Sequence, residues 1–232
     1  MATNRETFDA IAATWYGVRH WPLLRRELSA LAERWGSGRL LNLGCGAGSD
    51  FLPFGESFHL VGLDNSRGML RQALRHVARH GTDAALVQGD LTSLPFADAS
   101  FDYAVGVACY HHVEGEEART RALMELLRIL RPEGEAFISV WNHEQDRFVG
   151  TPQDQNVPFR VGNTMLERYY HLFTMPELQS TLRCCGFQVL TLGHGASRAS
   201  ATQDDVRNIC ALVRRPARGT REPTGSESEE RG

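Results

Sequence analysis

Apolar and polar residues alternate along the chain in two recurring periods. Short apolar runs at Arg39–Leu43, Phe58–Leu63, Ala84–Val87, Phe101–Val107 and Ala136–Trp141 read as buried strands. Between them lie stretches of helical period. One, over about 66–80, puts Met69, Ala73, Leu74 and Val77 on one face. Another, Glu116–Leu130, carries Leu123, Leu126, Leu127 and Leu130 at i, i+3, i+4, i+7. Residues 5–35 read as two helical pieces broken around Gly17–Pro22, the second with Leu24, Leu28 and Leu31 at helical spacing. Thr174–Cys184 is again helical, and Phe187–Leu192 and Val206–Val213 are the last strands. Strands alternating with helices predict an α/β domain with a doubly wound, mainly parallel sheet. Residues 142–173 lose the pattern and read as a long loop, a length that is usually functional. From Pro216 onward no apolar residue exceeds alanine, which predicts a disordered tail over 216–232. The expected organisation is one domain over 1–215, with residues 1–36 as a helical cap, followed by that tail.

Composition narrows the chemistry. All 25 lysine-plus-arginine positions are arginine. A phosphate loop needs its lysine, and Schiff-base chemistry needs an amine, so both classes are excluded. The formal net charge of −3 advertises no global field for nucleic acid. The five cysteines (Cys45, Cys109, Cys184, Cys185, Cys210) form no CxxC pair, which fits a reducing compartment. The first ten residues carry no signal-peptide core and no run suffices to span a bilayer, so a cytoplasmic protein without a membrane partner is expected. His76 and His80 are four apart on a predicted helix, but no third ligand lies near in sequence, and a solvated helix face is expected instead of a metal site.

The strongest local signal is LLNLGCGAGSD, where a buried strand delivers Gly44, Gly46 and Gly48 to a turn. Glycine lets backbone lie against a ligand with no Cβ in the way. A dinucleotide loop, G-x-G-x-x-G, would need glycine at position 49, which is Ser49. Asp64 ends the second strand, where a carboxylate is placed to accept from two ribose hydroxyls. Asp90 follows the third strand, and LPFADASFD leads into the fourth. Together these motifs resemble the class I S-adenosylmethionine (SAM) methyltransferases. The resemblance implies a Rossmann-like, seven-stranded sheet of order 3-2-1-4-5-7-6 with the last strand antiparallel. It also implies SAM as cofactor, held by Gly44, Cys45, Gly46, Gly48, Asp64, Asn65, Met69, Asp90, Leu91 and Val107. The acidic residue common in that family at position 42 is Asn42 here.

A narrower resemblance extends over roughly residues 6–215. Phe8-Asp9-x-Ile11-Ala12, Arg19-His20-Trp21-Pro22, His111-His112 and Arg131-Pro132-x-Gly134 belong to it. So do Trp141 with Glu144-Gln145, Val157-Pro158 and Arg168-Tyr169-Tyr170-His171-x-Phe173. These pieces are similar to the tRNA wobble-uridine carboxymethyl methyltransferases. The chain departs from that pattern at Ser49-Asp50, Glu114-Gly115 and Ala118-Arg119. The resemblance implies O-methylation of a carboxymethyl group on tRNA, with His112 and Arg19 as catalytic residues and Trp141, Asn142, Arg168 and Tyr170 around the acceptor. A carboxylate is ionised at neutral pH, so such a reaction needs no general base, only alignment and exclusion of water. It further implies a small zinc-binding activator protein, for which strand Ala84–Val87, at a sheet edge, is the candidate contact. A small-molecule SAM methyltransferase, acting on a quinone precursor or natural product, and a SAM-binding protein without turnover remain open alternatives.

Overall fold

The computed structural model describes residues 2–195 and 207–217. The chain opens with α1 (Asn4–Val18), α2 (Arg25–Trp35), β1 (Gly38–Leu43), β2 (Phe58–Asp64), α3 (Arg67–His80) and β3 (Ala84–Gln88). It continues with β4 (Phe101–Val107), α4 (Glu116–Ile129), β5 (Leu130–Trp141), β6 (Asp154–Val161) and β7 (Thr164–His171). The last elements are α5 (Met175–Cys184), β8 (Gln188–Gly195) and β9 (Asn208–Arg214). Seven strands form one sheet in the order β3-β2-β1-β4-β5-β9-β8. β1 to β5 run parallel, whereas β9 is antiparallel to both β5 and β8. With β6 and β7 standing apart, this is the expected 3-2-1-4-5-7-6 order.

Strand alternation explains why both faces are covered. In β5, Ala136, Ile138 and Val140 face the core under α4 and α5, while Phe137 faces the opposite core. β9 repeats this with Ile209, Ala211 and Val213 against Cys210 and Leu212. The second core is closed by Leu24, Leu28, Leu31 and Trp35 and by Val77. A sheet apolar on both faces needs helices on both faces. Glu135, buried on β5, ties α2 to the sheet. It accepts from Arg34 at 2.8 and 2.9 Å, from Trp35 Nε1 at 2.9 Å and from Arg214 at 2.8 Å. These donors hold its carboxyl down at about 2.

The main departure from expectation lies in residues 142–173. They are not a loop: they contain the antiparallel β6–β7 hairpin, paired from Asp154↔His171 to Val161↔Thr164. Val157, Phe159 and Val161 alternate with exposed residues, so the hairpin has one half-buried face. That face packs on α1, with Trp15 and Phe159 rings 5.5 Å apart. Asn4 fixes the contact: its Nδ2 donates to the Tyr169 carbonyl (3.0 Å) and its Oδ1 accepts from Tyr169 N–H (2.9 Å). His171 fastens the other end, with Nδ1 2.8 Å from Asp154 Oδ1 and Nε2 2.6 Å from Glu177 Oε1 on α5. α1 and the hairpin thus form a cap. The last strand begins at Asn208, and the expected start at Val206 lies outside the described residues, as does the tail from 218 on.

Candidate active site

A cavity of 340 Å³ opens at the carboxyl ends of β1 to β5 and is roofed by the cap. Open α/β sheets place ligand sites at this edge because the loops there diverge from a topological switch point.

Its floor is the loop after β1. Gly44, Gly46 and Gly48 have φ of +57°, +52° and +84°, conformations that favour glycine. A Cβ at Gly44 would lie 2.4 Å from Cys109 Cβ, whereas one at Gly46 would project into open space along the cavity wall. Asp64, at the end of β2, is buried and faces the cavity. Its Oδ2 accepts from Gly46 N–H (2.8 Å) and its Oδ1 from Ser66 N–H (2.9 Å). A carboxylate has about four acceptor sites, so roughly two remain for a ligand. Burial raises its pKa to about 6, against the pull of these N–H groups. Asp50 lies in the same wall, its pKa raised by burial and its Oδ1 without a hydrogen-bond partner. Arg19 Nη2 is 3.7 Å from Asp50 Oδ2.

The opposite end is aromatic. His111 stacks on Tyr170 (4.9 Å, 15°), and Trp141 lies 4.4 Å from Tyr170. His112 Nδ1 is 3.0 Å from the Tyr169 carbonyl, which only accepts, so the proton sits on Nδ1. Burial first, then the charges of Arg168 and Arg19, lower the His112 pKa to about 3. His111 is driven below its ordinary range by burial too, and its Nδ1 accepts from Trp141 N–H at 3.1 Å.

Thirteen of the residues singled out in the sequence line this one cavity. They are Gly44, Cys45, Gly46, Asp64, Asn65, Met69, Asp90, Leu91 and Val107 on the glycine-loop side, and Arg19, His112, Trp141 and Tyr170 toward the cap. Three are placed elsewhere. Gly48 lets α3 approach, since a Cβ there would sit 3.4 Å from Ala73. Asn142 is buried in the turn after β5, where its Oδ1 accepts from Glu144 N–H. Arg168 lies behind the lining, its guanidinium 5.0–5.3 Å from the rings of Trp15, Phe159 and Tyr170. Burial lowers its pKa, and the planar cation is held by ring faces. Asn4, Trp15, Asp50 and His111 line the cavity without having been singled out as site residues. For Asp50 the signal was its place next to the glycine loop, where the resemblance expects another residue type.

Residues 40–134 match the family described as Methyltransferase domain. The chain is 34% identical over 190 residues to "Putative methyltransferase ECU09_1500" of Encephalitozoon cuniculi, covering 78% of this chain and 83% of that one. It is 26% identical over 216 residues to the tRNA (carboxymethyluridine(34)-5-O)-methyltransferase of Schizosaccharomyces pombe, covering 82% and 90%. The Xenopus tropicalis protein of that activity, alkbh8, is 33% identical over 143 residues; they cover 61% of this chain but 21% of that much longer one. Among solved structures, a Haloferax volcanii methyltransferase in complex with the Trm112 methyltransferase activator superposes with a TM-score of 0.64 at 20% identity, covering 92% and 98%. The chain belongs to the class I SAM-dependent methyltransferases, and S-adenosylmethionine is its cofactor. The site fits that cofactor: Gly46 leaves open the space a Cβ would fill, and the buried Asp50 oxygen without a partner suits a cationic ligand.

No three His, Cys, Asp or Glu side chains among the described residues are grouped to hold a metal ion. The solvated face expected for this pair holds only for His80, whose Nδ1 lies 2.9 Å from the His76 carbonyl; His76 itself is buried and bonded to Tyr16 (3.0 Å). No described helix is long and apolar enough to cross a membrane.

Proposed function

We propose that this methyltransferase esterifies the carboxymethyl group of a tRNA wobble uridine. The observation that carries the proposal is the make-up of the cap end of the cavity, where Arg19 shares the wall with the paired histidines His111 and His112. Both are held neutral, and with a pKa of about 3 His112 is a weak base at neutral pH. That arrangement suits an acceptor already ionised on arrival, as a carboxylate is.

Bound S-adenosylmethionine supplies an electrophilic methyl group on a sulfonium. The chain's own residues then have to align and enclose the acceptor. Arg19, between the glycine loop and the cap, pairs with the acceptor carboxylate by a two-pronged guanidinium contact. His112, protonated on Nδ1, offers its Nε2 lone pair to a donor on the acceptor. Trp141 and Tyr170, packed 4.4 Å apart in the cavity wall, shape the acceptor end and keep water from the reacting atoms. Arg168, in its aromatic cage, acts as a support for Tyr170. The names of the Schizosaccharomyces and Xenopus relatives support this acceptor. The Haloferax complex supports an activator subunit, for which the outer edge of β3, paired on one side only by β2, is the proposed contact.

The test incubates the chain, with and without a candidate activator, with labelled SAM and bulk tRNA, followed by nucleoside mass spectrometry. A methyl ester at the wobble uridine is expected. Label entering only a solvent-extractable small molecule would overturn the proposal.

A further inference from the structure

Helix α3 carries Arg67, Arg71, Arg75 and Arg79, each four residues from the next. This spacing stacks side chains on one face with a rise of about 6 Å between neighbours and about 18 Å end to end. All four are exposed, while Met69, Ala73, His76 and Val77 face the core. None of the four is ion-paired among the described residues. α3 is also the one described α-helix without an acidic residue, although the chain holds 28 acids against 25 bases.

Such a helix is unfavourable in isolation. Like charges four apart repel, and Arg67 adds a cation to the first turn, where the helix dipole disfavours it. A bound polyanion removes both penalties. The strip also leads to the active site. α3 begins beside the cavity, whose wall includes Asn65 and Met69. Beyond Arg71 lies Asp9, whose Oδ1 accepts from Gly68 N–H and Ser66 Oγ at 2.7 Å each. Both Arg71 and Arg5 act electrostatically on Asp9, and Arg5 itself lines the cavity. Arg71 and Arg5 thus flank one carboxylate, and Arg5 brings a cation to the cavity rim on its far side.

We propose that the α3 arginines bind the phosphate backbone of the substrate RNA and guide one nucleotide into the cavity. The proposal rests on RNA being the acceptor. It accounts for how a chain of net negative charge holds a polyanion: four exposed arginines on a helix without acids make a locally positive strip.

The test measures binding of fluorescently labelled tRNA to the full chain at several salt concentrations. The triple variant Arg71→Gln, Arg75→Gln, Arg79→Gln keeps helix propensity nearly unchanged. It is expected to bind at least tenfold more weakly. Its plot of log affinity against log salt should be shallower by about 2, since each lost phosphate contact removes about 0.7 from the slope on single strands. SAM affinity and the melting temperature should not fall. The control pair Arg121→Gln, Arg183→Gln removes exposed arginines from other helices and should match the wild type. Wild-type slope in the triple variant, or equal loss in the control pair, would overturn the strip. Methyl transfer in the same samples separates the two proposals. Strip-dependent binding with no methyl ester would sink the acceptor assignment and leave the strip standing. A triple variant that esterifies dilute tRNA at the wild-type rate would do the reverse.

Discussion

The two ends of the cavity are built in different ways. The glycine-loop end consists of backbone turns and short side chains that follow β1, β2 and β3 directly. Asp64 and Gly46, which touch there, are 18 residues apart. The cap end is assembled from α1, a single 3₁₀ turn at Tyr110–His112 and β7. Asn4 and Tyr169, which join them, are 165 residues apart. A site made of local turns is fixed once its strands pair. A site made of distant elements depends on packing between layers, and it is the part that varies when one fold serves many acceptors. Variants confined to one end should therefore separate cofactor binding from acceptor use.

The largest effect is expected at the floor. In Gly44→Ala the new Cβ would meet Cys109 at 2.4 Å in a φ = +57° conformation. Overpacking and left-handed strain together cost about 2–4 kcal/mol. Calorimetry should show SAM affinity reduced at least 100-fold, and a denaturant melt should show the lost stability. Binding within threefold of wild type would mean that the loop tolerates displacement. Asp64 comes next, through pH. Its folded pKa of about 6 is above its ordinary 3.8. The native state thus holds a proton that the unfolded chain has released between pH 4 and 6. The associated stability is complete below 3.8 and is lost as pH rises through 6. With Asp64 proposed as the acceptor for the cofactor's ribose hydroxyls, ligand binding has the opposite sign, because those hydroxyls need the ionised carboxylate. SAM affinity should rise about tenfold from pH 5 to pH 7. Asp64→Asn should bind about thirtyfold more weakly, roughly 2 kcal/mol, with no slope over that range. A wild-type profile flat across it would remove Asp64 from cofactor binding.

The same division governs how much was legible in the sequence. The seven-stranded sheet was, because strands buried on both faces are short apolar runs and the helices between them keep a 3.6 period. The residues of the glycine loop and those ending β2 and β3 were legible as well, since strand ends bring their neighbours in sequence to one edge. The β6–β7 hairpin was hidden by its chemistry. Asp154–Val161 alternates half-buried and exposed positions, and Pro158 argues against a strand in a large sheet. In a two-stranded ribbon every strand is an edge, which tolerates proline. Val157, Phe159 and Val161, followed by Gly162-Asn163, carried the period-two pattern and the turn that would have revealed it. Arg168 shows the limit at the cap. Its side chain turns into the cage of Trp15, Phe159 and Tyr170, a placement set by α1 packing on the hairpin that no local spacing encodes.

The smallest expected effect is also the sharpest test of the division. Asn4 touches the cap from three directions: its Nδ2 donates to the carbonyls of His112 (3.2 Å) and Tyr169 (3.0 Å), and its Oδ1 accepts from Tyr169 N–H (2.9 Å). The same Tyr169 carbonyl receives the proton of His112 Nδ1, so Asn4 fixes the strand that fixes the histidine. Asn4→Ala leaves the Tyr169 N–H unpaired at a half-buried seam, at a cost of about 1–2 kcal/mol. The loss falls on the orientation of β7 and His112, whereas the glycine loop, Asp64 and their mutual bonds are untouched. Methyl transfer to tRNA should drop about fivefold in kcat/KM, while SAM affinity stays within twofold. Asn4→Asp keeps the acceptor oxygen but turns an anionic oxygen on two carbonyls in place of the donor, so it should lose at least as much as alanine. If SAM binding weakens in step with transfer, the two ends are one mechanical unit, and the separation drawn from their construction does not extend to their function.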